Sequence, residues 1–167
     1  NRLIKDINHM FSLRCSEKGL LWQVEHSVPS DVMVEMDVQR VRQILINLIS
    51  NAIKFTESGF VKFKVYLKEN DCYQFEVSDS GMGMTSEEMS EVFEPFVQKG
   101  AGIKHGGTGL GLSIAQKHAQ LMGSTITIDS ELDKGACFSF SLPINHARVS
   151  DGSDQKVVSH LTKGQNI

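Results

Sequence analysis

Cysteine is scarce in this chain: Cys15, Cys72 and Cys137 are odd in number, widely spaced and without a CxxC pair. That argues against both a disulfide framework and a thiolate zinc site. Long apolar runs are missing too. No stretch approaches the roughly 20 residues that a helix needs to cross a bilayer, so no direct membrane contact is expected. Nor is there a charge field of one sign. The formal net charge is only -3, which offers nucleic acid no general basic surface. The opening Asn1-Arg2-Leu3-Ile4-Lys5 has neither an initiator Met nor the apolar stretch of a signal peptide, and it reads as a fragment cut from a longer protein. No internal repeat is visible.

What is present suits one domain of ordinary size with a real core: 167 residues, 40% of them hydrophobic and 22% charged. Residues 1–16 space Leu3, Ile7, Met10 and Phe11 as a short helix does. Residues 20–28 alternate loosely, like a strand. A second helix is expected over 38–55, with Asp37 as N-cap and Val41, Ile44, Leu45, Leu48, Ala52 and Phe55 on one face. Strands at 60–68 and 72–78 flank a turn at Glu69-Asn70-Asp71. A short helix over 85–92 is capped by Thr85 or Ser86, a third amphipathic helix spans 109–122, and strands follow at 124–130 and 136–142. Beyond Pro143, residues 145–167 read as a polar tail or linker, and 17–144 as the domain proper. Cys72 and Cys137 fall within strand-like runs and read as buried small hydrophobes in a reducing, cytoplasmic setting. Hairpin-connected strands interleaved with helices suggest an α/β (α+β) two-layer sandwich, one sheet with helices on one face.

Three segments carry chemistry. At about 100° per residue, Asn47, Asn51 and Lys54 share the polar face of the second helix. Such a stripe ordinarily faces solvent. It also suits a metal-bound triphosphate: an Asn carbonyl can complete Mg²⁺ coordination, and a Lys one turn on supplies a point charge. Asp79-Ser80-Gly81-Met82-Gly83-Met84 follows a strand directly, where two glycines permit a sharp turn and a carboxylate can accept from an exocyclic amine. By itself it is a plain Asp-Ser-Gly turn. Gly106-Gly107-Thr108-Gly109-Leu110-Gly111 opens a helix, so free N–H groups and the positive end of the dipole can meet an anion. Its GxGxG spacing, with no strand leading in and no GKS or GKT, disfavours both a Rossmann site and a P-loop. A flexible hinge is the other reading.

Together these segments resemble the boxes of histidine kinases, in the family's order. Asn47-Leu48-Ile49-Ser50-Asn51-Ala52-Ile53-Lys54-Phe55-Thr56 is similar to the N box, the Asp79 to Gly83 turn to the G1 box, and Phe93-Glu94-Pro95-Phe96 to the F box. The stretch from Gly107 to Ser113 resembles the G2 box. The last glycine box resembles the segment around Gly135, with Ala136 where Ser or Thr is common. The likeness covers about 18–143.

The resemblance implies a Bergerat-type ATP-binding fold, a mixed and mostly antiparallel sheet backed by helices, of the superfamily of gyrase, Hsp90, histidine kinases and MutL. It implies ATP and Mg²⁺ as cofactors, Asn51 as metal ligand, and Asn47 and Lys54 near the phosphates. Asp79 binds the adenine amine, and Gly81 and Gly83 shape the pocket. Residues 96–107 form a lid, while Gly107, Thr108, Gly109, Leu110 and Gly111 wrap the phosphates. Where the family often carries an Arg before these glycines, Ile103-Lys104-His105 stands, so Lys104 is the substitute cation. Phe93 and Phe96 are expected at the base of the lid, against the histidine-bearing helices.

The reaction implied is phosphoryl transfer from Mg·ATP to a histidine on a separate dimerisation domain, in two-component signalling, with a response regulator or receiver domain downstream. Gyrase-type and mismatch-repair-type ATPases place a general-base Glu where Asn47 stands, and an amide has no basic lone pair of useful pKa. Hydrolytic ATPase activity is thus disfavoured. A nucleotide-binding module of a degenerate sensor is a further alternative. His9 is the only histidine in the first helix and no second long helix precedes the domain, so the histidine-bearing dimerisation domain is not expected within these residues, and the chain is expected to bind ATP without phosphorylating itself. The parent protein is left open as soluble or anchored in the inner membrane.

Overall fold

The structure is a computed structural model that describes residues 2–28, 32–33, 36–97, 108–144 and 148–149. Its elements in chain order are α1 (Arg2–Lys18), β1 (Leu21–Ser27), β2 (Val32–Met33), α2 (Val38–Phe55), β3 (Phe60–Lys68), β4 (Cys72–Asp79) and α3 (Ser86–Glu91). They are followed by α4 (Gly111–Leu121), β5 (Thr127–Glu131), β6 (Gly135–Pro143) and β7 (Arg148–Val149). Among the described residues no helix is long and apolar enough to cross a membrane.

Five strands form one sheet in the order β1-β3-β4-β6-β5. β1 runs parallel to β3, and the other pairs are antiparallel. A parallel pair needs a crossover, and α2 is the crossover here. This is the mixed, mostly antiparallel sheet that was expected. Register puts the buried apolar side chains of the central strands on one side. Val61 lies opposite Asp79, Phe63 opposite Val77 and Val65 opposite Phe75; Phe138 lies opposite Val77 and Phe140 opposite Phe75. Phe75 and Phe140 stack at 4.8 Å. The apolar residues among these join one buried cluster with Ile7 and Phe11 of α1, Ile44, Leu45, Leu48 and Ile49 of α2, and Ala115 and Ala119 of α4. The helices therefore cover one face, and the two alanines keep α4 slim where it meets α2.

The alternate positions, including Lys62, Lys64, Tyr66, Glu76 and Asp129, form the other face, and the same parity corrects the cysteine reading. Cys72 and Cys137 are half-buried because their register positions fall on this polar face, whereas Cys15 is buried on α1. Burial pushes the Cys137 thiol up, despite a hydrogen bond from Ser78.

Several boundaries differ from expectation for identifiable reasons. α4 begins at Gly111 rather than 109, since Gly109 has φ +69° and a left-handed residue does not start a right-handed helix. β5 begins at Thr127 because the Gln116 side-chain amide takes both backbone groups of Ile126, accepting at 2.8 Å and donating at 3.2 Å. α1 runs two residues further, to Lys18. The two-residue pair of β2 with β7 was not anticipated, and it places 148–149 of the expected tail in a strand; the rest of the tail from 145 onward lies outside the described residues.

Candidate functional site

α2 starts where Asp37 accepts from the Arg40 N–H at 3.1 Å and pairs with its guanidinium at 2.9 Å. It ends where Lys18 of α1 donates to the carbonyls of Ile53 and Lys54, a cation on the negative end of the helix dipole. Between these anchors the apolar face is buried in the core. The opposite side, Asn47, Ser50, Asn51 and Lys54, lines a cavity of about 460 Å³. The polar stripe thus faces a pocket rather than open solvent. Gln43 donates to the Asn47 carbonyl at 3.3 Å. The Asn47 amide nitrogen is buried without a hydrogen-bond partner among the described residues, a costly state that an incoming acceptor would relieve. Arg14 of α1 reaches Ser50 at 3.4 Å, and the Lys54 ammonium lies 5.0 Å from the Phe55 ring centroid.

Asp79 ends β4 at the floor of the cavity, only 8% exposed. Its Oδ1 accepts the Gly81 N–H at 2.8 Å, closing an Asx turn. Burial raises the carboxyl above the ordinary carboxylate range, while hydrogen bonds from the Ala136 backbone and the Thr56 hydroxyl, with that from Gly81, pull the other way. Beside this buried acid much of the lining is apolar (Met82, Met84, Val92, Leu112, Leu132, Ala136 and Phe138), while Glu88 and Glu91 stand on the α3 side. A flat aromatic ligand with one donor group fits such a slot.

Contacts from both sides fix the turn after Asp79. Phe60 N–H donates to the Ser80 hydroxyl at 2.8 Å, Met84 N–H to Ser130 at 2.9 Å, and Asp133 N–H to the Met82 carbonyl at 2.7 Å. α3 then opens with a full capping box, Glu88 N–H to Thr85 Oγ1 at 3.2 Å and Thr85 N–H to Glu88 Oε2 at 2.8 Å. That holds Glu88 at the cavity wall.

On the far rim, α4 begins at Gly111 behind Leu110, with no side-chain cap on its first N–H groups among the described residues. Free amides at a helix start favour an anion, and Thr108, Gly109 and Gly111 line the cavity beside them. Gly109 accepts from the Phe96 N–H at 3.0 Å, so the two stems of segment 97–108 are tied together.

Of the residues singled out from sequence, Asn47, Asn51, Lys54, Asp79, Gly83, Thr108, Gly109 and Gly111 line this one cavity. Gly81 stands behind Asp79 rather than in the lining, and Leu110 occupies the N-cap position of α4. Lys104 and Gly107 lie outside the described residues, as does most of the expected lid. The aromatic pair divides: Phe93 is half-buried, edge-on to Phe138 at 6.2 Å, while Phe96 is 73% exposed with φ +62°. Sequence reasoning missed the apolar lining, Glu88 and Glu91, and it carried Thr56 only as the end of the N-box-like block without a role. Only the Thr85-to-Glu88 spacing signalled any of them in advance, as a capping box.

Comparison with known proteins agrees with this geometry. Residues 36–146 match the family described as histidine kinase-, DNA gyrase B-, and HSP90-like ATPase. The chain is 37% identical over 157 residues to the aerobic respiration control sensor protein ArcB of Escherichia coli, covering 91% of this chain and 20% of ArcB. It is 33% identical over 155 residues to the autoinducer 2 sensor kinase/phosphatase LuxQ of Vibrio vulnificus, covering 89% of this chain and 18% of LuxQ. The chain thus spans about a fifth of these relatives. Full-length ShkA, solved with AMPPNP, superposes with a TM-score of 0.77 at 34% identity, over 87% of this chain and 30% of ShkA. The isolated catalytic domain of histidine kinase ThkA superposes at 0.73 with 30% identity, covering 86% of this chain and 91% of that one. With the boxes gathered around one cavity and these likenesses, the chain belongs to the histidine kinase-, DNA gyrase B-, and HSP90-like ATPases, and within them to the ATP-binding catalytic domains of sensor histidine kinases.

Proposed function

We propose that this domain holds Mg·ATP in the cavity under α2 and passes its γ-phosphoryl group to a histidine carried by a separate dimerisation domain. The observation that carries the reading is Asp79: the one buried carboxylate among the described cavity residues, set beside an apolar wall and sharing the cavity with the polar stripe of α2 and the start of α4. An adenine ring fits the slot, and its exocyclic amine supplies the donor that Asp79 lacks on the cavity side. The triphosphate then runs toward Lys54, the Asn47 amide and the first N–H groups of α4.

Among the described residues no group of three or more His, Cys, Asp or Glu side chains could hold a metal unaided. A hard cation held by one amide carbonyl and the ligand's own phosphates suits that donor set. Asn51 is the residue to supply the carbonyl. When bound, Mg²⁺ neutralises phosphate charge. The protein's part is to bind, orient and exclude water.

A hydrolytic reading needs a carboxylate on the α2 stripe, and Asn47 and Asn51 are amides that cannot take a proton from water at neutral pH. The Glu88 carboxylate on the opposite wall is already engaged with Thr85. The acceptor histidine would belong to another domain, and the exposed Phe96, next to the cavity-lining Val97, is the residue expected to meet it. Residues 1–16 would join that domain, and 145–167 would lead onward, to a receiver if the parent is a hybrid. The hybrid signal transduction histidine kinase B of Dictyostelium discoideum is 39% identical over 160 residues, covering 90% of this chain and 8% of its own.

Calorimetric titration with ATP tests the site. Wild type is expected to bind only with Mg²⁺ present at full strength. Asp79→Asn should weaken binding by roughly tenfold to a hundredfold, the size of a lost hydrogen bond to a charged group. Asn51→Ala should remove most of the Mg²⁺ dependence. With γ-labelled ATP the chain alone should incorporate no phosphate, and adding the parent's histidine-bearing helices should restore incorporation. Label appearing on the isolated chain would overturn the reading.

A further inference from the structure

Thr56 closes the sequence block that carries Asn47, Asn51 and Lys54, yet it does not line the cavity. It is wholly buried, and its hydroxyl donates to the Ala52 carbonyl at 2.7 Å. The same oxygen is within hydrogen-bond reach of the Asp79 carboxyl. The crowding is tight: a Cβ at Gly81 would fall 2.8 Å from Asp79 Oδ1, 3.0 Å from Thr56 Oγ1 and 2.5 Å from the Phe55 carbonyl oxygen. With Thr56 fully buried, bulk water does not solvate its hydroxyl.

A hydroxyl has one proton and here it meets two acceptors. With the Thr56 proton on the Ala52 carbonyl, the face toward Asp79 is a lone pair, and the carboxyl can bond to it only as a protonated acid. With the hydroxyl turned toward Asp79, the carboxylate is held ionised. The second arrangement is the one an amino-purine needs, since its exocyclic amine is a donor and wants a charged acceptor.

We propose that Thr56 is a positioning residue for base recognition, a rotating donor that turns its proton from the Ala52 carbonyl to Asp79 when an aminopurine docks. The inference rests on the assignment of Asp79 to the purine amine. It makes the last turn of α2, which bears Lys54 on the phosphate side, part of the base-reading end as well. The charged or titratable side chains sharing the cavity with Asp79 are Lys54 from α2 and Glu88 and Glu91 from α3. β3 faces it with Val61, β6 with Ala136 and the Cys137 thiol next along, and α4 brings Leu112 and backbone. None of these changes when Thr56 is replaced.

Losing the Thr56 donor favours the neutral acid, so the pH below which ATP binding fades moves upward. The test is ATP affinity, with Mg²⁺, from pH 5 to 9 by calorimetry for wild type, Thr56→Val, Thr56→Ser and Asp79→Asn. Thr56→Val is expected to shift the acid limb up by about one pH unit and to weaken binding about tenfold at neutral pH. Thr56→Ser should restore the wild-type profile, which a purely packing role for the methyl group would not do. Thr56→Val should also narrow the preference for ATP over inosine triphosphate, whose 6-oxo group accepts from a protonated Asp79. If Val at 56 does not fold, Thr56→Cys carries the same prediction at smaller size, because a thiol is a weak donor. A Thr56→Val profile that superimposes on wild type, while Asp79→Asn loses ATP, overturns the inference and leaves the site assignment standing. An Asp79→Asn protein that binds ATP normally overturns the assignment itself.

Discussion

Two glycine-bearing turns border the cavity, and Gly83 in one and Gly111 in the other are there for different reasons. In the turn after β4 the protein itself leaves no room. A Cβ on Gly83 would sit 2.0 Å from the Glu131 carbonyl oxygen, and one on Gly81 2.5 Å from that of Phe55. In the turn that starts α4, Gly109 is also confined, with φ +69° and a would-be Cβ 3.1 Å from Phe96, but a Cβ on Gly111 would meet nothing within 4 Å among the described residues. The first turn is shaped by its own packing, because backbone from the β5–β6 hairpin and the end of α2 closes on it. The second borders empty space that lies inside the cavity. Sequence inspection treats both as glycine boxes. Only the structure separates glycine required by the fold from glycine that leaves space for something else.

The largest effect should therefore come from Gly83→Ala. Its φ is +65°, and the added methyl overlaps backbone that hydrogen bonds hold in place. Left-handed strain and overpacking each cost about 1–3 kcal/mol, so a loss of roughly 3 kcal/mol or more in urea unfolding is expected, with ATP binding lost alongside. A loss below about 1 kcal/mol would mean that the hairpin backbone yields easily, and the contrast between the turns would fail.

Gly81→Ala should separate structure from site. The new methyl would press on the Asp79 carboxylate and the Phe55 carbonyl together. A carboxylate can swing aside more easily than a hairpin backbone, so stability should fall less than for Gly83→Ala, while ATP binding should fall at least tenfold as Asp79 loses its Asx geometry. Thermal melting and titration on the same sample check this; equal losses in the two variants would erase the distinction.

The polar half of the site was legible in the sequence for physical reasons. Asn47, Asn51 and Lys54 repeat at helical spacing inside an amphipathic pattern, and Asp79 ends an alternating strand, so local periodicity alone put each at a known orientation. The apolar half was not. Met84, Leu112, Ala136 and Phe138 obey the same periodicities as core residues, and nothing local says whether a hydrophobe faces protein or cavity. Thr56 stood in the sequence only as the last residue of the N-box-like block, because its partner Asp79 is distant along the chain. Cys72 and Cys137 were misjudged because strand membership alone does not give the face, whereas register does. The late starts of β5 and α4 turn on one side-chain amide and one left-handed glycine, contacts that no window of sequence reports.

The smallest effect on the fold, and the sharpest test of the contrast, is Gly111→Ala. Gly111 is the first residue of α4, on the cavity wall and with open space where a methyl would go. Replacing glycine by alanine in a helix gains about 0.5–1 kcal/mol from reduced backbone entropy, less at an end position. Thermal stability without ligand is thus expected to rise slightly or stay level. ATP affinity should fall by about tenfold, since the methyl takes space where phosphate oxygens would approach the helix amides. Opposite movements of stability and affinity are what a glycine kept for a ligand requires. If the variant is more stable and binds ATP as well as wild type, the phosphates do not come close to this residue, and their place shifts toward Thr108, Gly109 and the α2 stripe.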